Sequence, residues 1–371
     1  MRLLLLAILP VFIWACSGPS GKIEDAANAY SIDTLWIDPG SSIINLEENL
    51  AFSGLSEDGS TLFHFDPRAL KIQVINLKEA RMETEVQFEK EGPNGIGDWH
   101  IGFQVLSDTI FALMGDNAFF LIDLHGRLQE KIAIDHLFYI QEDLTGKFSR
   151  SGFLFMDGSI YSNLDAWQGP SLKLFAYNPK EDTYKIKEIP GAENVLNSAM
   201  VTYIQKSSFY YYFGFSLVDV AGDLLIHHRT YPEIALYRVA KDSMQLFYPI
   251  SDYYSPVPKA EKIKEVNGEE ESDAYQKELM KQMSFLPPLW DPVNQRLYRW
   301  GYKMIPSTME KEEPEFENYL FVLDKEFKIV EEFLIPEIKA KPHRVFLVGG
   351  QLFFYQNMED ELAFLRIKLR T

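Results

Sequence analysis

Few residues in this 371-residue sequence stand at spacings that chemistry demands. His227-His228 offers two adjacent imidazoles of the kind that bind a divalent metal. Consecutive strand residues point to opposite faces, so the pair is expected as one buried and one exposed ring. The acidic stretches Glu269-Glu-Glu271 and Glu310 to Glu317 carry enough carboxylates for calcium. They lack the alternating Asp and Asn oxygens with a glycine bend, and so read as solvated faces. Phe209-Tyr-Tyr-Tyr-Phe-Gly-Phe215 suits a sugar-stacking platform, but at an innermost strand a run apolar on both sides reads first as core. Gly92-Pro-Asn-Gly-Ile-Gly97 leads into a strand, leaving no helix N-terminus for a phosphate, and reads as a turn. There is no His-Glu-x-x-His, no cysteine pair, no Gly-x-Ser-x-Gly and no Gly-x-x-x-x-Gly-Lys. Motifs therefore nominate no catalytic residue, no metal ligand and no cofactor.

Composition narrows the class. The chain is 46% hydrophobic and 14% aromatic, enough for a large packed core, and rich in Phe, Tyr and Gly with few long helical periodicities. Its formal charge of −18 argues against nucleic acid as a partner, since neutralising phosphates takes an excess of Lys and Arg. The single cysteine, Cys16, follows a basic start at Met1-Arg2, an apolar run from Leu3 to Ile13 too short to span a bilayer, and Trp14-Ala15. This pattern resembles a bacterial lipoprotein signal. The resemblance implies removal of residues 1–15, acylation of Cys16, and a lipid-anchored address in the cell envelope, at the outer membrane. A secretory signal or an N-terminal anchor with an accidental cysteine is the alternative. Residues 16–28 then read as a polar tether and 29–371 as the folded domain.

The elements behind these residues are short strands. Ile101 to Leu106, Thr109 to Met114, Ala118 to Leu124 and Leu128 to Ile134 form four antiparallel strands in 34 residues, punctuated by Ser107-Asp108, Gly115-Asp-Asn117 and His125-Gly126. One such sheet has two faces to bury, so it needs similar neighbours. The turn between the first two strands recurs at Ser60, Asp108, Gly158, Gly222, Asn294 and Gly350, giving six units. The spacing suits propeller blades. The sixth unit stops after three strands, whereas Ser31 to Ile37 is a strand with no hairpin partner. The sequence thus predicts an all-β, six-bladed β-propeller closed by the N-terminal strand pairing with the last blade. A β-sandwich or two unrelated β domains would also fit the pattern.

Glu91-Gly-Pro-Asn-Gly-Ile-Gly97 resembles the Gly-Pro-Gly segment that precedes blades in NHL-type propellers. With the lipoprotein signal and the Leu62 to Leu77 hairpin, nearly the whole mature chain is similar to a group of six-bladed, NHL-like or TolB-like Bacteroidetes lipoproteins of unknown function. The resemblance implies fold and export and supplies no catalytic residues. Ser56 to Phe63 has a weaker likeness to the Asp-box of sialidase propellers, with Phe in place of Trp, and occurs once; a hairpin turn accounts for it.

Connection lengths point to where binding belongs. Turns joining first to second strands are tight, whereas Asp135 to Ser149, Gly191 to Ser208, Ser251 to Ser284 and Met304 to Asn318 are long and fall on the opposite face. Within the third insertion, Ser272 to Met283 has helical composition. Residues just before the innermost strands should ring the channel mouth on that face: Trp99, His100, Arg150, Tyr210-Tyr211, Trp290, His343 and Arg344. Cationic and aromatic groups there suit a carbohydrate or anionic ligand. The expected function is a cell-envelope binding or interaction module for a glycan, a peptide or an envelope protein. The alternative is a propeller hydrolase or lyase acting on glycans or peptides. Two convergent carboxylates, or a histidine with a charged partner, at the mouth would favour the enzyme; Arg and aromatics without them, the binder.

Overall fold

The computed structural model describes residues 29–139, 146–148, 152–166, 173–204, 207–211, 215–255, 263–306 and 314–370. Six small antiparallel sheets stand in a ring as a six-bladed β-propeller. In chain order the innermost strands are Ser53–Leu55, His100–Ser107, Leu154–Met156, Phe215–Val220, the pair Ser284–Phe285 with Leu289–Asp291, and Val345–Val348. The sixth blade is completed by Tyr30–Trp36, which pairs antiparallel with Glu361–Leu369 over a seven-residue register from Tyr30↔Leu369 to Trp36↔Ala363. The predicted architecture and its closure are both present.

Period-two alternation sends side chains to both neighbours. In the strand Ile110–Gly115, Phe111 and Leu113 enter the core shared with the first blade, while Ala112 and Met114 enter the core shared with the third. Among the described residues each of the six junctions holds one such cluster, the last joining Phe353 and Phe364 to Leu62 and Ile75 across the closure. At about 1.5–3 kcal/mol for each large side chain fully buried, the junctions supply most of the cohesion.

The same alternation corrects one expectation. Both His227 and His228 are buried, because a blade's second strand is covered on both faces. His227 faces the fifth blade, where its Nδ1 accepts from Arg299 Nη2 at 2.9 Å; the ring of His228 stacks on Tyr231 at 4.3 Å. Arg299, 1% exposed, also donates to the carbonyls of Tyr231 and Pro232 and lies 3.9 Å from the centroid of Phe285, tying the fourth and fifth blades together.

The tight turns are as expected. Asp157 and Gly158 have φ of 50° and 72°, and Gly349 and Gly350 of 55° and 77°, the positive values a two-residue hairpin needs. Ser56 to Ser60 is likewise a turn, with Asp58 Oδ1 accepting from the Ser60 amide at 2.8 Å and the Ser56 hydroxyl at 2.9 Å. In the glycine-rich segment, Ile96 and Gly97 amides return to the carbonyls of Glu89 and Lys90 at 3.0 Å.

Two long insertions build a small sheet that the sequence did not foreshadow, together with the helix that it did. Met200–Ile204 and Ser207–Tyr211 form a hairpin, and Lys264–Asn267 joins it in parallel with Met200 opposite Lys264. This third strand runs into the helix Gly268–Met280, whose first turn carries Glu269, Glu270 and Glu271 at the favourable end of the helix dipole. The helix begins four residues before the expected Ser272, because the strand delivers the chain to Asn267, whose amide donates to Glu271 at 2.7 Å. Ser272 is buried inside the helix, Leu279 packs beneath it, and Tyr275 donates to the Asn197 carbonyl at 3.1 Å. The aromatic run divides here: Tyr211 ends the hairpin and Phe215 starts the inner strand of the fourth blade. It is not one innermost strand.

Candidate functional site

The inner strands of all six blades surround an axial cavity of about 680 Å³. Its wall is largely apolar, with Phe103, Phe153, Leu217, Leu286, Pro287 and Val345 among the lining residues. Gln104 lies on the wall, but its amide is spent between blades, donating to the Phe155 carbonyl at 3.0 Å and accepting from the Phe155 amide at 2.8 Å. Strand direction fixes the two ends. Each inner strand starts at the long-loop face and ends at the tight turn.

His343 and Arg344 precede the inner strand Val345–Val348 and line the cavity at its long-loop mouth. The Arg344 guanidinium donates through Nη2 to the Ser53 carbonyl at 2.9 Å and lies 5.4 Å from the centroid of Phe346. Burial lowers its pKa. One of its five N–H donors is thereby committed, and no described carboxylate pairs with the group. His343 is exposed by surface area, yet the surrounding walls desolvate the ring and lower its pKa, with Lys341 and Arg229 adding repulsion. Lys341 is lowered too, first by desolvation and then by Arg229. Arg229 sits at the end of the fourth blade's second strand, its guanidinium 5.6 Å from the centroid of Tyr302. His343 and Arg344 thus line one mouth of the channel, and Lys341 and Arg229 stand near enough to His343 to oppose its charge.

The other nominated residues lie elsewhere. Tyr211 is half-buried beside Arg229, Gln276 and Leu279, where the helix covers the ends of the fourth and fifth blades. Trp290 lines the cavity at the opposite end: it pairs with Leu297 one residue from the tight turn, because the inner strand of the fifth blade is broken at Leu286 to Pro288 and begins earlier, at Ser284. His100 is 7% exposed and wedged between the first two blades, Nε2 donating to the Ile96 carbonyl at 3.0 Å and the ring 5.2 Å from Phe65. Trp99 is 61% exposed on the long-loop face. Arg150 and Cys16 lie outside the described residues.

Lys341 and Arg229 escaped the sequence reading. Lys341 had a signal, since Lys339, Lys341, His343 and Arg344 crowd the approach to the last inner strand. Arg229 had none, because ring closure alone brings the fourth blade to the sixth. A second unforeseen pair, Ser53 Oγ and His64 Nδ1 at 2.8 Å, has the outline of a nucleophile and its base. Both are nearly sealed, at 2% and 1% exposure, and His64 Nε2 is held by the Asn45 carbonyl at 2.7 Å, so the pair braces the first blade. Among the described residues, no three His, Cys, Asp or Glu side chains are placed to hold a metal ion.

A ring of six blades around a largely apolar channel, with His343 and Arg344 at one mouth, defines a propeller whose candidate site lies on its axis. The chain belongs to the DUF4221 family, described as a domain of unknown function, whose model matches residues 26–334. A member of that family from Bacteroides vulgatus has a crystal structure that superposes with a TM-score of 0.67 at 15% identity, over 93% of this chain and 99% of that one. A protein of Bacteroides fragilis superposes with a TM-score of 0.54 at 10% identity, over 93% and 97%. At these identities the likeness is one of fold. Comparison with curated proteins finds no match.

Proposed function

We propose that this protein is a lipid-anchored binding module of the bacterial cell envelope, held at the outer membrane through an acyl group on Cys16, and that it takes a ligand bearing an anionic group at the long-loop mouth of its channel. The observation that carries this reading is the cluster of Lys341, His343 and Arg344, with Arg229 behind it, in a chain whose formal charge is −18. A locally positive opening in a negative protein focuses the field on that opening and admits anions that the remaining surface repels. Arg344 keeps unused donors for a carboxylate or phosphate, the geometry in which a guanidinium binds most strongly. The ligand is an anionic glycan, peptide or smaller molecule of the envelope.

The test is calorimetric titration of the purified protein with matched anionic and neutral ligands, such as a uronic acid and its parent sugar, and a peptide with and without its free carboxylate. The anionic member of a pair should bind at least tenfold more tightly, and Arg344→Ala and Lys341→Ala should each remove most of that preference in protein that still melts cooperatively. Equal binding of both members, or preference that survives both substitutions, would refute the reading.

A further inference from the structure

The geometry points to an anionic amphiphile as the ligand: a molecule with one carboxylate or phosphate head held by His343 and Arg344 and an apolar body running down the channel. The inference rests on the anion reading of the mouth and adds what lies behind it. His343 and Arg344 line the same cavity as Leu217, Leu286, Phe103 and Val345, so a group bound by the former has its remainder among the latter. At about 680 Å³ the space falls within the range of small-molecule sites, which run from roughly 300 to 1,000 Å³.

A sugar body would find few side-chain partners there and would depend on the free backbone edges of the inner strands. The side-chain amide of Gln104, the one Asn or Gln among the described lining residues, is consumed at both ends by Phe155 and holds two blades together. Ser216 and Tyr298 carry the hydroxyls among the described lining residues. Desolvating a hydroxyl-rich ligand against such a wall costs free energy that few new hydrogen bonds would offset, whereas methylenes gain from it.

The channel is also electrostatically polar along its axis. Asp219 lines it close to the tight turn of the fourth blade, with Oδ1 accepting from the Gly222 amide at 2.8 Å. A single anionic head is attracted to the long-loop mouth and repelled from the far end, which orients an amphiphile with its tail towards Asp219 and Trp290. A molecule with an anion at each end would meet that repulsion.

The experiment is calorimetric titration of the intact protein with straight-chain alkanoates from butanoate to dodecanoate, and with the matching alkanols. Affinity should climb about fourfold per methylene until the channel is full, since each buried methylene contributes a nearly constant transfer free energy. Each alkanoate should bind at least tenfold more tightly than its alkanol. Arg344→Ala should abolish the acid-over-alcohol preference while leaving the chain-length slope. Ser216→Phe, which fills the channel, should flatten the slope and leave butanoate binding unchanged. If anions bind at the mouth with no dependence on chain length, or anionic glycans bind and alkanoates do not, the amphiphile falls and the anion reading stands. A slope that persists in folded Ser216→Phe would place the tail outside the channel and overturn the inference. Absence of all anion binding would remove both.

Discussion

Removing the N-terminal strand should open the ring. Tyr30–Trp36 contributes seven register pairs to the sixth blade, extended by Arg370 N to Ala29 O at 2.8 Å and Ile37 N to Leu362 O at 3.0 Å. Tyr30 and Ile37 are buried in the cores on the two sides of that blade, at 5% and 3% exposure. With about 1 kcal/mol net for each hydrogen bond and about 1.5–3 kcal/mol for each buried side chain, the loss is on the order of 10 kcal/mol. A typical domain has about 5–15 kcal/mol in all, so the deletion takes most or all of the margin. It also uncovers Glu361–Leu369, a nine-residue strand that would become an unprotected edge. The comparison is between the protein starting at Ala29 and the protein starting at Pro39, by thermal melting and size-exclusion chromatography. The shorter protein should aggregate or melt at least about 10 °C lower, and a peptide spanning Tyr30–Ile37 should restore part of the difference. Equal melting temperatures would refute ring closure as a source of stability.

Three further outcomes are expected. Cys16→Ala should abolish incorporation of a fatty-acid probe and leave an unprocessed precursor; equal labelling of both proteins would remove the anchor from the account. Arg299→Met should cost about 3–5 kcal/mol in urea unfolding, because it strands the carbonyls of Tyr231 and Pro232 and His227 Nδ1 in a dry junction, and a loss under about 1 kcal/mol would contradict that. Burial lowers the pKa of His64, His100 and His227, so the unfolded chain takes up protons near pH 6.5 that the folded chain refuses. Stability should therefore fall as pH drops below about 6.5, by up to about 1.4 kcal/mol per pH unit for each imidazole, and recover as pH rises; a flat urea midpoint between about pH 5 and 6.5 would contradict it.

The fold was legible because each blade repeats the same local chemistry. Hairpin turns such as Asp157-Gly158 and Gly349-Gly350 announce themselves in residue type, and the sixth unit's missing strand pointed directly at Ser31 to Ile37. What stayed hidden depends on contacts distant in sequence. Lys264–Asn267 pairs with Met200–Ile204 across some sixty residues of intervening chain, in a parallel register that no local pattern signals. Both imidazoles of His227-His228 are buried because blades cover both sheet faces, a property of the ring and not of the strand. For the site, the rule that residues before inner strands reach the mouth placed His343 and Arg344 on the channel. It put Trp290 at the wrong end of the channel because Pro287 and Pro288 interrupt the strand and hide its true start. His100 belongs to its strand and turns between blades, against Phe65 and Phe120.

The most direct test of the basic mouth is the titration of His343 itself, followed by NMR on ring-labelled protein with and without a saturating carboxylate ligand, and assigned with a His343→Gln variant. In the free protein the ring should titrate below 6.5, because desolvation, Lys341 and Arg229 all oppose its charge. A bound anion supplies the missing counter-charge and should raise the pKa, and by linkage the ligand should bind more tightly as pH falls through that range. A His343 pKa that does not move on saturation would contradict the placement of the anion at the channel mouth.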